Sequence, residues 1–305
     1  MAAAIAPDEP ATLRTSGVVR RLARNPTVVL GIVILGLVVA IGVAAPWLAD
    51  FDPAAINPTV RNKTPGAVES VRADDGTRAE LRHWMGTDSL GRDVASRVVY
   101  GARTSLLVGV SVAVIAVGIG LAIGLAAGYA RLLDGIVMRL MDGLMAIPAI
   151  LLAIAVVSLS SAGLPAVVVA IVIPEVPRVV RLVRSIVLSV REEPYVEAAL
   201  AVGTPGLMLV VRHILPNTIP PLIVQATYTC ASAILIEAIL SFLGVGIPAQ
   251  TPTWGNIMAE GRTLFRVYPH NILYPGIFLA LTVLAVNLLG DGLRDTLDPR
   301  LRKSL

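Results

Sequence analysis

The sequence predicts an all-α, polytopic membrane protein with about six transmembrane helices. Composition is the first observation behind that prediction. Of the 305 residues, 55% are hydrophobic and 15% charged, and mean hydropathy is +0.78; such values do not fit a water-soluble domain. The second observation is that uncharged runs long enough to cross a bilayer recur along the chain. The third is the basic charge between those runs, nearly all of it arginine, since Lys63 and Lys303 are the only lysines. The net charge of +4 is modest. Basic residues of membrane proteins collect at the cytoplasmic flanks of spans, so membrane lipid is an expected contact and nucleic acid is not. Cys230 is the sole cysteine and lies in an apolar run, which excludes a disulfide or a thiolate metal site within one chain.

Residues 1–27 form an Ala/Pro-rich and then basic tail containing Arg14, Arg20, Arg21 and Arg24. Residues 28–47 carry no charge and make the first span. A signal peptide is the competing reading. The run is too long for a signal core and Ala44-Ala45-Pro46 is a poor cleavage site, so a retained helix with a cytoplasmic N-terminus is expected. Residues 48–103 are polar and balanced in charge. Pro53, Pro58, Pro65, Gly66 and the Asp75-Gly76 turn signal predict an extracytoplasmic loop. Thr87 or Asp88 is expected to cap an interfacial helix that enters the membrane past Tyr100. His83 and Asp88 lack further clustered ligands, so a capped helix is preferred there to a metal site.

Residues 104–290 form the core. In the uncharged run 104–130, Gly120, Gly124 and Gly128 recur every four residues on one face, a spacing that lets a second helix approach closely. Residues 131–142 read as a short charged connector. The next uncharged run, 143–174, is too long for one span, and the turn signals from Ser160 to Pro165 predict a helical hairpin. Its second arm continues out of lipid, where Arg178, Arg181 and Arg184 mark the cytoplasmic end. Residues 218–243 are apolar apart from uncharged polar side chains and Glu237. A carboxylate in a span is costly unless paired, protonated or facing a cavity, which makes Glu237 the intramembrane polar candidate. Residues 244–271 are expected outside with Trp254 near the interface, followed by a last span at 272–289 and a cytoplasmic tail at 291–305.

The polar-edged interruption at 188–217 has its own local grammar. Pro194 suits a first helical turn, and Glu192 and Glu193 favour its positive end. Gly203 supplies a left-handed residue that closes the helix, and Thr204-Pro205 reads as a cap and the first residue of a second helix. Pro216 is expected to stop that helix, after which 217–221 turns the chain back into lipid. The prediction is two short helices, angled at Gly203 and exposed on one side of the membrane. The basic residues assigned to that side, from Arg131 and Arg139 through Arg212 and Arg294, outnumber Arg262 and Arg266 of the short opposite loop, so the side is cytoplasmic.

Glu197-Ala198-Ala199, three residues, Gly203, nine residues and then a string ending in Leu215-Pro216 resemble the Glu-Ala-Ala loop of bacterial ABC-importer permeases. His213 stands where the general pattern has Ile; His-x-Leu-Pro-Asn is the form of the dipeptide/oligopeptide branch. Residues 86–103 and 242–300 resemble the same branch, whereas Glu175 departs from the aromatic residue frequent near its position. The resemblance covers nearly all of 27–300. It implies a type I importer permease fold in a bacterial inner membrane, with both termini cytoplasmic. It also implies that Glu197, Ala198, Ala199, Gly203, His213, Leu215 and Pro216 form a coupling element seated in a cytoplasmic ATPase.

The partners so implied are a second homologous permease, two ATPase domains and an extracytoplasmic solute-binding protein. The implied cargo is a dipeptide or oligopeptide, with glutathione and nickel as alternatives among similar signatures. Glu237 takes a structural role near the outer end of its span under the same resemblance. The chain itself has no Gly-x-x-x-x-Gly-Lys-Ser/Thr cradle, and neither lysine follows a glycine. It is therefore expected to be a pore subunit and not an enzyme, binding no cofactor, with ATP and Mg²⁺ held by partner subunits. The reading from another class is an ion-coupled secondary carrier using Glu237 as its proton site, although the internal repeat common in such carriers is missing.

Overall fold

The first helix, α1, spans Pro26–Val43. Asn25 starts it by accepting the Thr27 N–H at 3.1 Å, and Pro26 fills the first turn, where no N–H is required. The predicted span 28–47 is interrupted at Ala44, after which a single turn, α2 (Ala45–Leu48), leads away. The computed structural model describes residues 20, 22–72, 78–160 and 163–297. Arg14, Arg21, the Asp75-Gly76 turn and 298–305 lie outside them.

The segment before the second long helix is more ordered than a loop. Strands β1 (Ala67–Arg72) and β2 (Arg78–His83) pair antiparallel, with Ala67 opposite His83. Helix α3 then runs over Val94–Tyr129. Its 36 residues span about 54 Å at 1.5 Å per residue, well beyond a hydrocarbon layer of about 30 Å, so a length of it stands clear of lipid. The cap of α3 is neither Thr87 nor Asp88. Asp93 accepts the Ser96 N–H at 2.6 Å, while Asp88 accepts from Leu90 N and Arg92 N, and Thr87 bonds Lys63 N and Val60 O. A carboxylate caps from the position immediately before the helix, and the left-handed Gly86 and Gly91 delay the start to Val94.

The expected connector at 131–142 is helical. Helix α4 (Arg131–Met145) meets α5 (Ala149–Ser158) at 87° across Pro148. The residue before a proline is pushed out of helical geometry, which places the break there. Helix α5 is followed after Gly163 by α6 (Leu164–Arg191), which packs against it. After a short helix α7 (Pro194–Ala201) and a single turn α8 (Gly206–Leu209), the chain forms α9 (Leu215–Phe242), α10 (Trp254–Gly261) and α11 (His270–Leu297). Among the described residues, four helices pass as spans by length and hydropathy, and α4 with α5 adds a bent fifth. The remaining long helix is α6, whose apolar run is broken by Glu175, Arg178, Arg181 and Arg184.

Helix α6 is clasped by α3. A Cβ added to Gly120, Gly124 or Gly128 would stand 2.5, 2.6 and 2.7 Å from the Cβ of Val179, Val183 and Val187. The glycine stripe read from the sequence thus receives a valine stripe of the same period. Helices that meet this closely gain dispersion contacts along their whole length, which matters in lipid, where no hydrophobic drive separates helix from solvent. At the Val94 end of α3, Trp254 is fully buried and donates Nε1–H to Val98 O at 3.1 Å. Gly101 leaves room for its ring on α3 and Phe278 flanks it, so α10 packs back onto the protein.

Candidate functional site

The segment joining α6 to α9 is built from backbone geometry upward. Glu193 precedes Pro194 in extended conformation, and α7 follows for two turns. At its end, Gly203 N–H bonds Leu200 O at 2.9 Å and Thr204 N–H bonds Ala199 O at 3.1 Å. This pair of bonds is a Schellman closure, and it requires the left-handed φ of +82° found at Gly203. The helix that follows starts one residue later than Thr204-Pro205 suggested, with Pro205 itself extended and Gly206 first in α8.

Pro216 does not end this second helix. A turn of π-helix covers Val210–Ile214, and Leu215 N–H reaches back five residues to Val210 O. Pro216 then falls in the first turn of the resumed α-helix, where its missing N–H and its ring are tolerated. The chain therefore passes without a turn from α8 through Leu215 and Pro216 into α9. His213 and Asn217 brace the junction: Asn217 Nδ2 donates to Tyr195 OH at 3.0 Å and to His213 O at 2.7 Å, and the Tyr195 and His213 rings are 6.3 Å apart. Burial pushes the Tyr195 phenol up, with the Asn217 hydrogen bond opposing and Glu193 adding to the rise; the hydroxyl accepting from Asn217 is neutral at physiological pH.

Three buried residues fasten the segment to the helices. Val196, Leu209 and Ile214 are at most 1% exposed, and Ile214 joins Val183, Val187 and Leu222 in one cluster at the ends of α6 and α9. An added Cβ on Gly206 would meet the Tyr129 ring at the end of α3, and Arg191 donates to Gly128 O at 2.9 Å. Helix α7 is thus joined to α6 along the chain, and Gly206 and Arg191 on either side of it meet the end of α3.

The opposite side of the segment is bare. Val202 is 82% exposed and Leu207 79%, and Tyr195, Leu200, Met208 and Val211 are also exposed. Glu197 and Ala198 lie on that open surface, with Ala199 partly covered. No atom lies within 4 Å of an added Cβ on Gly203, so glycine is needed for its φ and not to fit against a neighbour. Exposed apolar side chains thus gather at a helix–turn–helix corner whose other side is anchored to the helices.

Glu237 lies apart from this surface, five residues before the end of α9. It is fully buried; Ser241 Oγ donates to it at 2.8 Å and Ser105 Oγ at 3.3 Å, so it ties α9 to α3. Two polar clusters were not resolved by sequence reasoning. At the Val94 end, Arg97 is fully buried and reaches Glu260 at 3.4 Å, Ala249 O at 3.4 Å and Asp88 at 3.9 Å, while Arg92 pairs with Asp88 at 2.7 Å and also with Glu260. His83, weighed above with Asp88, is instead bracketed by Asp93 at 2.8 Å and Glu69 at 3.1 Å. The second cluster is Glu175, which accepts from Arg178 at 2.8 Å and from Ser232 of α9 at 2.9 Å. The one signal available beforehand was charged residues recurring at helical spacing within apolar stretches.

Comparison with known proteins agrees with this architecture. A family model described as "Binding-protein-dependent transport system inner membrane component" matches residues 116–303, and one described as "N-terminal TM domain of oligopeptide transport permease C" matches 15–65. A probable peptide ABC transporter permease protein of Sinorhizobium fredii is 52% identical over 291 residues, covering 95% of both chains. A dipeptide transport system permease protein of Alkalihalophilus pseudofirmus is 40% identical, covering 93% of this chain and 89% of that one. A glutathione transport system permease protein of Escherichia coli is 37% identical over the same shares. Among solved structures, an inward-facing form of the MetNI methionine ABC transporter contains a chain that matches 66% of this chain and 97% of its own length, with a TM-score of 0.53 and 20% identity. That likeness is one of fold.

Proposed function

Since the chain belongs to the family of inner-membrane components of binding-protein-dependent transport systems, we propose that it is one of two permease subunits that move peptides across the bacterial inner membrane, driven by ATPase partners. The observation that carries the coupling half of this proposal is the bare apolar corner of α7 and α8, closed by left-handed Gly203 and fastened behind to α3, α6 and α9. In this reading Glu197, Ala198, Ala199 and Gly203 meet the ATPase. His213, Leu215 and Pro216 form the stiff junction that passes the displacement into α9. ATP and Mg²⁺ are bound by those partners, and an extracytoplasmic binding protein delivers cargo at the α10 end. The corner lies in the cytoplasm along with residues 1–27 and 291–305, while 48–103 lies outside.

Peptide is preferred as cargo because the relatives named for peptide transport reach 52% and 40% identity, above the 37% of the relative named for glutathione. A proton carrier built on Glu237 is not supported, because that carboxylate is enclosed and held by two serine hydroxyls. The test is uptake into proteoliposomes containing this chain, its second permease and the ATPases, with peptide-loaded binding protein on the outer face. Uptake that requires internal ATP and survives collapse of the proton gradient is expected. Uptake that ignores ATP and stops with the gradient would overturn the assignment.

A further inference from the structure

Helix α3 ends at Tyr129, and the carbonyls of its last turn have no donor left within the helix. That turn holds no basic residue to answer them. The missing cation comes from α6. Arg191, the last residue of that helix, donates to Gly128 O at 2.9 Å and to Tyr129 O at 3.4 Å. Pro194 opens α7 soon after, so this contact stands at the entrance to the corner. Helices α6 and α9 join the corner through the chain itself. Helix α3 meets it across space, at the Arg191 bonds and where the Tyr129 ring lies against Gly206.

The seam between α3 and α6 does not fix their axial register by itself. Gly120, Gly124 and Gly128 face Val179, Val183 and Val187, and both stripes repeat every four residues in the same direction. A shift of one repeat, about 6 Å at 1.5 Å per residue, sets each valine against a neighbouring notch. In one direction the shift brings Gly120 to Glu175, a carboxylate already held by Arg178 and Ser232. In the other, Val183 meets Gly120, Val187 meets Gly124, and Val179 meets Ala116, whose side chain is a single methyl. Gly128 then faces Arg191, beside a cavity of about 410 Å³ whose lining includes Ala127, Gly128 and Leu188. This second register keeps the interdigitation of the seam and forfeits the Arg191 bonds. The ion pairs from Arg181 and Arg184 to α4 join exposed or half-exposed groups, so they hold weakly and can follow a moving partner.

Resting on the transport reading above, we propose that Arg191 is the positioning residue that selects the register of α3 on α6. A displacement entering at the corner then moves both helices as one body. Directed hydrogen bonds to two backbone oxygens are specific to one register, whereas the dispersion contacts of the seam are not. Backbone acceptors suit this task because no rotamer change can carry them away from their helix.

The test places spin labels at Val114→Cys on α3 and Ser189→Cys on α6, in a Cys230→Ala background. The complete reconstituted transporter is used, with cysteine-free partners. Both native residues are exposed, and the labels stand about 24 Å apart along the seam axis. One distance is expected with Arg191 present. Arg191→Ala is expected to add a second distance, shorter by about 5 Å, and to lower peptide uptake per ATP hydrolysed about fivefold or more. Arg191→Lys keeps a cation able to bond helix-end carbonyls and should restore both readouts. Should Arg191→Ala be poorly recovered, Arg191→Gln carries the same two measurements. A single unchanged distance in the variant lacking the cation would overturn the proposal, whatever the uptake. So would a second distance accompanied by normal uptake per ATP. A wild-type complex with no ATP-dependent uptake would instead sink the functional assignment, while the distances would still decide the register.

Discussion

At the Val94 end of α3, glycines are wedged: an added Cβ would stand 3.2 Å from Trp254 Cδ1 at Gly101, and 2.7 Å from Ala238 Cα at Gly255. At the other end, beyond Tyr129, Gly203 has open space around it. The charged groups follow the same division. Arg97, Arg92, Asp88 and Glu260 are enclosed together, whereas Glu197 is exposed beside Leu200 and Val202. The first region is a brace whose parts satisfy one another. The second has its bonds behind it and an unspent apolar face in front. The difference teaches that a glycine can answer to packing, as at Gly101 and Gly255, or to backbone geometry alone, as at Gly203.

Removing a member of the brace should do the most damage to the fold. Arg97→Ala leaves buried Asp88 and half-buried Glu260 with one cation between them, a loss of up to about 3–5 kcal/mol for a broken buried pair. The expected result is a sharply lowered unfolding temperature in detergent and little protein in the membrane; near-wild-type stability would show that the cluster is not a brace. Gly124→Ala tests the seam between α3 and α6. The added methyl meets Val183 and should cost about 1–3 kcal/mol as an overpacked contact, read as a smaller drop in unfolding temperature.

The corner should respond in the opposite manner. Gly203→Asp forces a left-handed side-chain residue at about 1–2 kcal/mol, yet it meets no neighbour, so the protein should reach the membrane. Placed on the docking face, its charge should uncouple ATP hydrolysis from uptake, and normal transport by this variant would contradict the assigned role. Leu207→Ser should barely change stability, within about 0.5 kcal/mol as for other surface changes, while weakening recovery of the ATPase in pull-downs. Equal recovery would mean that the apolar face is not the contact.

How much of this was legible in the sequence depended on the range of the interaction. The glycines at 120, 124 and 128 announced a close helix contact because the four-residue period is itself the contact geometry. Gly203 could be placed because a helix-closing residue is decided within five residues. Pro216 misled for the same local reason: taken alone it reads as a stop, and only the π-turn before it lets the helix continue into α9. The helix at Arg131–Met145 was read as a connector because its charges, Asp134 and Asp142, are satisfied by α6, far along the chain. The Arg97 brace joins residues more than 150 positions apart, and Trp254 is enclosed by α3 and α11. Neither pairing leaves a trace in local spacing.

The most direct measurement is a cross-link from the corner itself. Val202→Cys in a Cys230→Ala background places the only thiol on the bare apolar face. In the complete complex a short bifunctional reagent is expected to join this cysteine to the ATPase, with a yield that changes when nucleotide closes the ATPase pair. A cysteine at 202 that reacts only from outside the cell, or that never joins the ATPase in an active complex, would contradict the account.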